Sequence, residues 1–68
     1  MADPYLEGQW NELKGRVKEQ WGELTDDDLD RIDGRRDQLI GAIQQQYGKA
    51  RNEAEKELER WEKDQGLR

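Results

Sequence analysis

The chain lacks several residue types on which most functional sites depend. Its 68 residues include no cysteine, no histidine, no serine and one threonine, Thr25. Without cysteine there is neither a disulfide nor thiol chemistry, and this absence favours a reducing cytoplasm over secretion. Without histidine the commonest general base and metal ligand is missing. We therefore expect no enzyme activity, no catalytic residue, no cofactor and no metal site.

Apolar residues are also scarce, at 31% of the chain against 43% charged residues, with a mean hydropathy of −1.46. This composition lies near the border between a small folded domain and a disordered polar chain. The net charge of −5 argues against a nucleic-acid partner, because proteins that bind nucleic acids present basic side chains to the phosphates. No stretch approaches the ~20 apolar residues of a membrane span. MADPYLEGQW lacks the basic start and apolar run of a signal peptide, so we expect none. We expect one cytoplasmic domain over 1–68, monomeric, with a protein partner left open.

One short pattern occurs twice in the chain, as GQWNELKGRVKEQWG at 8–22 and GRRDQLIGAIQQQYG at 34–48. Glycines fall at the first, middle and last position of each copy. Between them, Leu, Val or Ile, Gln, and Trp or Tyr recur at the same offsets. The repeat predicts a fold built from two related helical halves.

Three apolar stripes at helical spacing account for most of the apolar residues. The first predicts a helix over about Tyr5–Trp21, with Pro4 in its first turn and Gly22 as a left-handed C-terminal cap from which Leu24 folds back. Its apolar members are Leu6, Trp10, Leu13, Val17 and Trp21. Thr25 is expected to cap a second helix over about Asp26–Tyr47, ended by Gly48, in which interruptions are left open. Its apolar members are Leu29, Ile32, Leu39, Ile40, Ile43 and Tyr47.

The third stripe comprises Ala54, Leu58 and Trp61 and predicts a helix ending near Lys63. Asn52 and Glu55 resemble a capping box at its start, and 64–68 is expected to fray. We predict an all-α fold, a small bundle of three to five short helices. Its core is expected to contain Trp10, Leu13, Val17, Trp21, Leu29, Ile32, Leu39, Ile43, Tyr47, Leu58 and Trp61.

Four interior glycines lie opposite these stripes on a helical wheel: Gly8, Gly15, Gly34 and Gly41. Each costs ~1 kcal/mol relative to alanine inside a helix. Bent or broken helices, close approach of another backbone, and tolerated low stability would each explain them. We favour breaks at Gly15 and Gly34, which would produce four or five short helices from three.

Other patterns point to chemistry only weakly. The aspartates at 26–33 resemble the start of a calcium-binding loop, but Arg31 and Asp37 stand where an EF-hand needs Gly and Glu. This favours the interpretation of these aspartates as the first turn of a helix, where the helix dipole stabilises negative charge. The four rings at Trp10, Trp21, Tyr47 and Trp61 lie on apolar stripes, which favours core packing over base stacking. Arg35 and Arg36 are expected to balance nearby aspartates rather than bind phosphate. The polar faces are mixed in sign or acidic, which favours packing within the chain over a membrane surface.

Two long segments carry a family resemblance. LKGRVKEQWGELTDDDLDRIDGRRDQLIGAIQQQYG and EAEKELERWEK resemble the CsbD-like family of small bacterial stress-response proteins over nearly the whole chain. The resemblance implies four or five helices in two hairpins packed roughly at right angles, and induction under general stress. It implies no established activity and no catalytic residues. The family's Ser or Thr before the last helix is replaced here by Arg51 and Asn52.

Two functions fit these observations. One is a non-enzymatic interaction module with an unknown target. The other is a hydrophilin-like protectant that acts by bulk, since seven glycines and a mean hydropathy of −1.46 match the composition of such proteins.

Overall fold

The computed structural model describes residues 8–67, which form four helices. They are α1 (Trp10–Gln20), α2 (Asp26–Ile32), α3 (Arg36–Tyr47) and α4 (Arg51–Asp64). No strand occurs in this part of the chain. The radius of gyration is 10.7 Å, and about 11 Å is expected of a compact domain of this length. The prediction of a small all-α bundle is confirmed.

The first helix buries Trp10, Leu13 and Val17 along one face, as its stripe predicts. The predicted start at Tyr5, with Pro4 and Leu6, lies outside the described residues. At the other end, Trp21 leaves the helix with φ −121° and donates its backbone N–H to Val17. The prediction that Gly22 is a left-handed cap is wrong, because Gly22 has no positive φ. Instead, the N–H of Leu24 bonds to the carbonyl of Trp21 at 3.1 Å, and Leu24 folds back into the core as predicted.

The second helix begins with a full capping box. The hydroxyl of Thr25 accepts from the N–H of Asp28 at 3.1 Å, and the carboxylate of Asp28 accepts from the N–H of Thr25 at 3.0 Å. The helix is short because Asp33 and Gly34 adopt left-handed conformations, with φ 49° and 78°. The predicted break at Gly34 is confirmed. The predicted break at Gly15 is wrong, because Gly15 lies inside the continuous helix α1.

Gly48 ends α3 with φ 63°, as predicted. The start of α4 differs from the prediction, because Ala50 is the N-cap residue and makes no side-chain capping bond. Asn52 therefore lies within the first turn, where its side-chain oxygen accepts from the N–H of Glu53. The capping box predicted for Asn52 and Glu55 is wrong.

The chain after α4 is hydrogen-bonded over residues that were expected to fray. Gly66 is left-handed, with φ 74°, and its N–H bonds to the carbonyl of Lys63 at 3.0 Å. The N–H of Leu67 bonds to the carbonyl of Glu62 at 2.8 Å, and Leu67 packs against the core. A left-handed glycine with backward hydrogen bonds of this kind is a common helix terminus. Residue 68 lies outside the described range.

One core joins all four helices. The predicted core residues are all buried, apart from Tyr47, which is half-buried against it. Leu24, Ile40 and Ala54 complete the buried apolar set. Trp21 and Trp61 meet at its centre, with ring centroids 5.7 Å apart and planes inclined at 55°.

We expect Trp21→Ala or Trp61→Ala to unfold the protein. Removing a buried indole costs about 3–5 kcal/mol, which equals the whole stability expected of so small a core. Far-UV and near-UV circular dichroism measure the outcome, and Arg60→Ala on the exposed face of α4 is the control. Native spectra in both tryptophan variants would contradict the assigned core.

The glycines divide into two groups with opposite predicted effects. Gly34 is buried and has φ 78°, so Gly34→Ala strains the backbone and should destabilise the fold by about 1–2 kcal/mol. Gly15 and Gly41 are exposed in helical segments, and an added methyl group would meet no neighbouring side chain or other helix within 4 Å. Gly15→Ala and Gly41→Ala should each stabilise by up to ~1 kcal/mol.

Thermal melts of the three single variants measure these effects. A gain for Gly34→Ala, or a loss for Gly15→Ala, would contradict the assigned conformations.

Candidate functional site

The structure disperses the aspartates that resemble a calcium loop. Asp26 pairs with Lys18 at 2.8 Å, Asp28 belongs to the capping box, and Asp33 ends α2. Among the described residues, no three acidic side chains stand close enough together to hold a metal ion. The interpretation of Asp26, Asp27 and Asp28 as a helix start is confirmed.

The three tryptophans do not form a stacking surface. Trp10, Trp21 and Trp61 are only 6%, 2% and 4% exposed, which confirms their interpretation as core residues. Two of their indole N–H groups have partners inside the fold. The indole N–H of Trp10 donates to the carbonyl of Leu29 at 3.2 Å, and that of Trp21 donates to Glu57 at 3.4 Å.

A buried ion pair joins the start of α3 to the end of α4. The guanidinium of Arg36 donates to both carboxylate oxygens of Glu62, at 3.3 and 3.4 Å, and the Glu62 side chain is fully buried. Arg36 was expected to balance nearby aspartates, and in this pair its partner is Glu62, from the far end of the chain. Glu62 follows Leu58 by one helical turn, and this spacing is the signal in the sequence that it faces inward.

A second polar cluster surrounds Glu57. Its carboxylate accepts from Lys49 and from the indole of Trp21, and Lys49 also stands 5.7 Å from the ring centre of Tyr47. The phenol oxygen of Tyr47 accepts from the N–H of Glu23 at 3.1 Å. These contacts tie the end of α1 to the α3–α4 connection and to α4. They explain why Tyr47 is only half-buried.

Hydrogen bonds lower the pKa of three carboxyl groups. The pKa of Glu57 lies below its ordinary value because Lys49 donates to it, and that of Asp26 because Lys18 does. The pKa of Asp28 is lowered chiefly by the backbone N–H of Thr25. A general acid or base for neutral pH needs the opposite shift, toward 7. These groups are suited to structural hydrogen bonding rather than to proton transfer.

One shallow cleft with a mainly apolar lining lies between α1 and α2. We call it the α1–α2 cleft, and it is lined by Lys14, Gly15, Lys18, Asp26, Leu29 and Asp30. Its volume of about 180 Å³ is below the ~300–1,000 Å³ of most small-molecule sites. Its lining contains no hydroxyl or thiol nucleophile. No helix in the described part of the chain is long and apolar enough to cross a membrane.

Comparison with known proteins identifies the family. A family model described as CsbD-like matches residues 5–56. The chain belongs to the CsbD-like family. The resemblance carried by the sequence motifs is thus confirmed, and it extends over most of the chain.

Similar proteins occur in Escherichia coli and in Protochlamydia amoebophila. UPF0337 protein YjbJ of Escherichia coli (strain K12) is 58% identical over 55 residues, which cover 81% of this chain and 80% of that protein. UPF0337 protein pc0632 of Protochlamydia amoebophila (strain UWE25) is 52% identical over 57 residues, which cover 84% of this chain and 86% of that protein. No solved structure matches this CsbD-like chain.

We expect no specific calcium site at Asp26–Asp33, because Asp26 and Asp28 are engaged in separate contacts and Arg31 occupies the position of the required glycine. Isothermal titration calorimetry with calcium chloride should show only weak, unsaturable heats. Parallel titration of Asp30→Asn is the control and should give the same trace. A one-to-one site tighter than ~10 μM, within the sensor range, would contradict this prediction.

Stability should be constant between about pH 5 and 8, because the chain has no histidine to titrate there. It should fall on further acidification. The pKa values of Asp26, Asp28 and Glu57 are lowered by folding, so their contribution is complete above their ordinary pKa values and is lost as the pH falls through the lowered ones.

Urea unfolding at a series of pH values measures this profile, and Asp28→Asn should flatten its acid limb. Asp27→Asn is the matched control, because Asp27 makes no side-chain hydrogen bond among the described residues. An equal flattening in both variants would show that the capping box does not carry the effect.

Proposed function

We propose that this protein is a non-enzymatic interaction module of the bacterial general stress response, acting in the cytoplasm on a protein target. Membership of the CsbD-like family supports the stress role. The absence of cysteine supports the cytoplasm. The proposal that it works by recognition depends on how its surface compares with those of its relatives.

Similarity to the relatives extends beyond the residues that the core requires. An identity of 58% over 55 residues corresponds to about 32 identical positions in the comparison with YjbJ of Escherichia coli. Only 15 of the described residues are buried. Core packing constrains chiefly buried positions, since exposed ones usually tolerate substitution within ±0.5 kcal/mol. A surface that retains its identity to this extent is the observation that favours recognition of a partner.

Four side chains of types that can perform catalysis are occupied by structural contacts. The hydroxyl of Thr25 caps α2, and the pKa values of Asp26, Asp28 and Glu57 are lowered rather than raised. Catalytic acids and nucleophiles usually stand in clefts with pKa values shifted toward their task. These contacts support a function without chemistry.

The second candidate is a protectant that acts by bulk. It is favoured by exposed glycines at Gly15 and Gly41, which lower helix stability and make no close contact with the rest of the fold. A protein that acts by excluded volume and hydration depends on its composition, whereas an interaction module depends on the arrangement of its surface.

One variant separates the two functions. It keeps every buried residue, helix cap and left-handed glycine, and it permutes the exposed residues among helices at constant composition. The wild-type chain, tagged and expressed in stressed cells, should retain a saturable partner that the permuted chain fails to retain. Equal protection of an unrelated enzyme during drying by both proteins, with no saturable partner for either, would favour the protectant instead. Circular dichroism of the permuted chain confirms that it folds.

A further inference from the structure

The α1–α2 cleft combines an apolar floor with rims of opposite charge. Leu29 and the backbone at Gly15 form its floor. Lys14 and Lys18 stand on the α1 rim, and Asp26 and Asp30 stand on the α2 rim. The members of each pair are four residues apart, which is close to one helical turn. Both rims therefore present like charges at the spacing with which side chains recur along one face of a helix.

No neighbouring group within the described fold requires a glycine at position 15. Gly15 lies in the middle of α1, is exposed, and has no side chain or other helix within 4 Å of an added methyl group. Glycine lowers helix stability relative to alanine at such a position. Because Gly15 has no side chain, the cleft stays open and the backbone there is accessible. Such access is required where another chain approaches the backbone closely.

We infer that the α1–α2 cleft receives a helix of a protein partner, which inserts an aliphatic side chain over Gly15 and Leu29. One flank of this helix carries carboxylates facing Lys14 and Lys18, and the other carries basic side chains facing Asp26 and Asp30. The inference rests on the proposed function and specifies the surface and the kind of partner. Helices that dock in grooves through apolar anchors at three- and four-residue spacing are a recurring mode of recognition.

A second copy of this chain does not supply such a helix from its described residues. The four described helices turn their apolar stripes into their own core, and their outer faces carry polar and charged residues. The ion pair between Lys18 and Asp26 joins the two rims at one end of the cleft. It is exposed, and exposed pairs contribute little, so a partner can replace it. Lys14 and Asp30 at the other end have no ion pair among the described residues.

A designed peptide tests the cleft directly. The probe is a monomeric, alanine-based helix with one leucine, glutamates along one flank of the leucine and lysines along the other. The control peptide has the same composition, with glutamate and lysine alternating within each flank. The peptides are titrated into the ¹⁵N-labelled full chain, and amide chemical shifts are followed by NMR.

We expect saturable shifts centred on the amides of Lys14, Gly15 and Leu29 with the first peptide. Loss of two exposed ion pairs should weaken the alternating peptide by about fivefold. Gly15→Leu fills the cleft with its own side chain and should abolish the shifts. Gly41→Leu should leave them unchanged, because Gly41 has the same exposed helical setting but lies outside the cleft. Shifts centred elsewhere, no shifts at millimolar peptide, or equal binding by Gly15→Leu would each overturn the inference.

The same variants separate this inference from the proposed function. If the wild-type chain retains a saturable partner in stressed cells and Gly15→Leu retains it equally, the cleft is not the docking site although the chain is an interaction module. If neither retains a partner and the peptide does not bind, both proposals fail. Thermal melts of the two leucine variants verify that each remains folded.

Discussion

The contact between Trp21 and Trp61 is the interaction on which the rest of this fold depends. It joins the end of the first helix to the last helix, with ring centroids 5.7 Å apart, and both rings are almost fully buried. Burying an indole removes roughly 150–250 Å² from water, or about 4–6 kcal/mol at ~25 cal/mol per Å². This is similar to the entire net stability of a domain so small, about 3–5 kcal/mol. With only 31% apolar residues, the chain has little other surface to compensate for a lost ring.

The polar interior is arranged around α4. Two glutamates flank its apolar stripe. Glu57 accepts from the Trp21 indole and from Lys49. Glu62 accepts from the Arg36 guanidinium. One helix therefore contacts α1, the α3–α4 connection and α3 through two carboxylates. No buried side-chain nitrogen or oxygen in the described part lacks a partner. Because a buried charge that loses its partner costs several kcal/mol, the pair of Glu62 with Arg36 restricts α3 and α4 to one arrangement.

The sequence was sufficient to predict features that depend on local periodicity. Apolar spacing identified nearly the whole core, and Thr25 with the aspartates after it identified the start of α2. Features that depend on tertiary contacts were missed. The break at Gly34 was predicted, but the same reasoning also placed a break at Gly15, because helix propensity does not distinguish one interior glycine from another. The partner of Arg36 was missed because it lies 26 residues away.

A comparison of the two copies of the repeat distinguishes glycines whose backbone conformation the fold requires from glycines that the fold does not require. Gly34 and Gly48 are left-handed, whereas Gly8 and Gly22, at the equivalent positions of the first copy, are not. Each outer pair thus occurs in two different backbone conformations. The middle pair, Gly15 and Gly41, occupies the same setting in both copies, namely an exposed helical position with no close neighbour.

Gly15 and Gly41 therefore have the same exposed helical setting in the two halves, and packing inside the protein needs neither of them. The charged residues around the two glycines differ. Gly15 lies beside Lys14 in a cleft whose opposite rim carries Asp26 and Asp30, whereas Gly41 is flanked in sequence by Ile40 and Ala42. Both glycines lower helix stability and neither serves packing inside the protein, so their role lies at the surface. In the proposed docking of a partner helix, the charges at the rims of the α1–α2 cleft distinguish one partner from another.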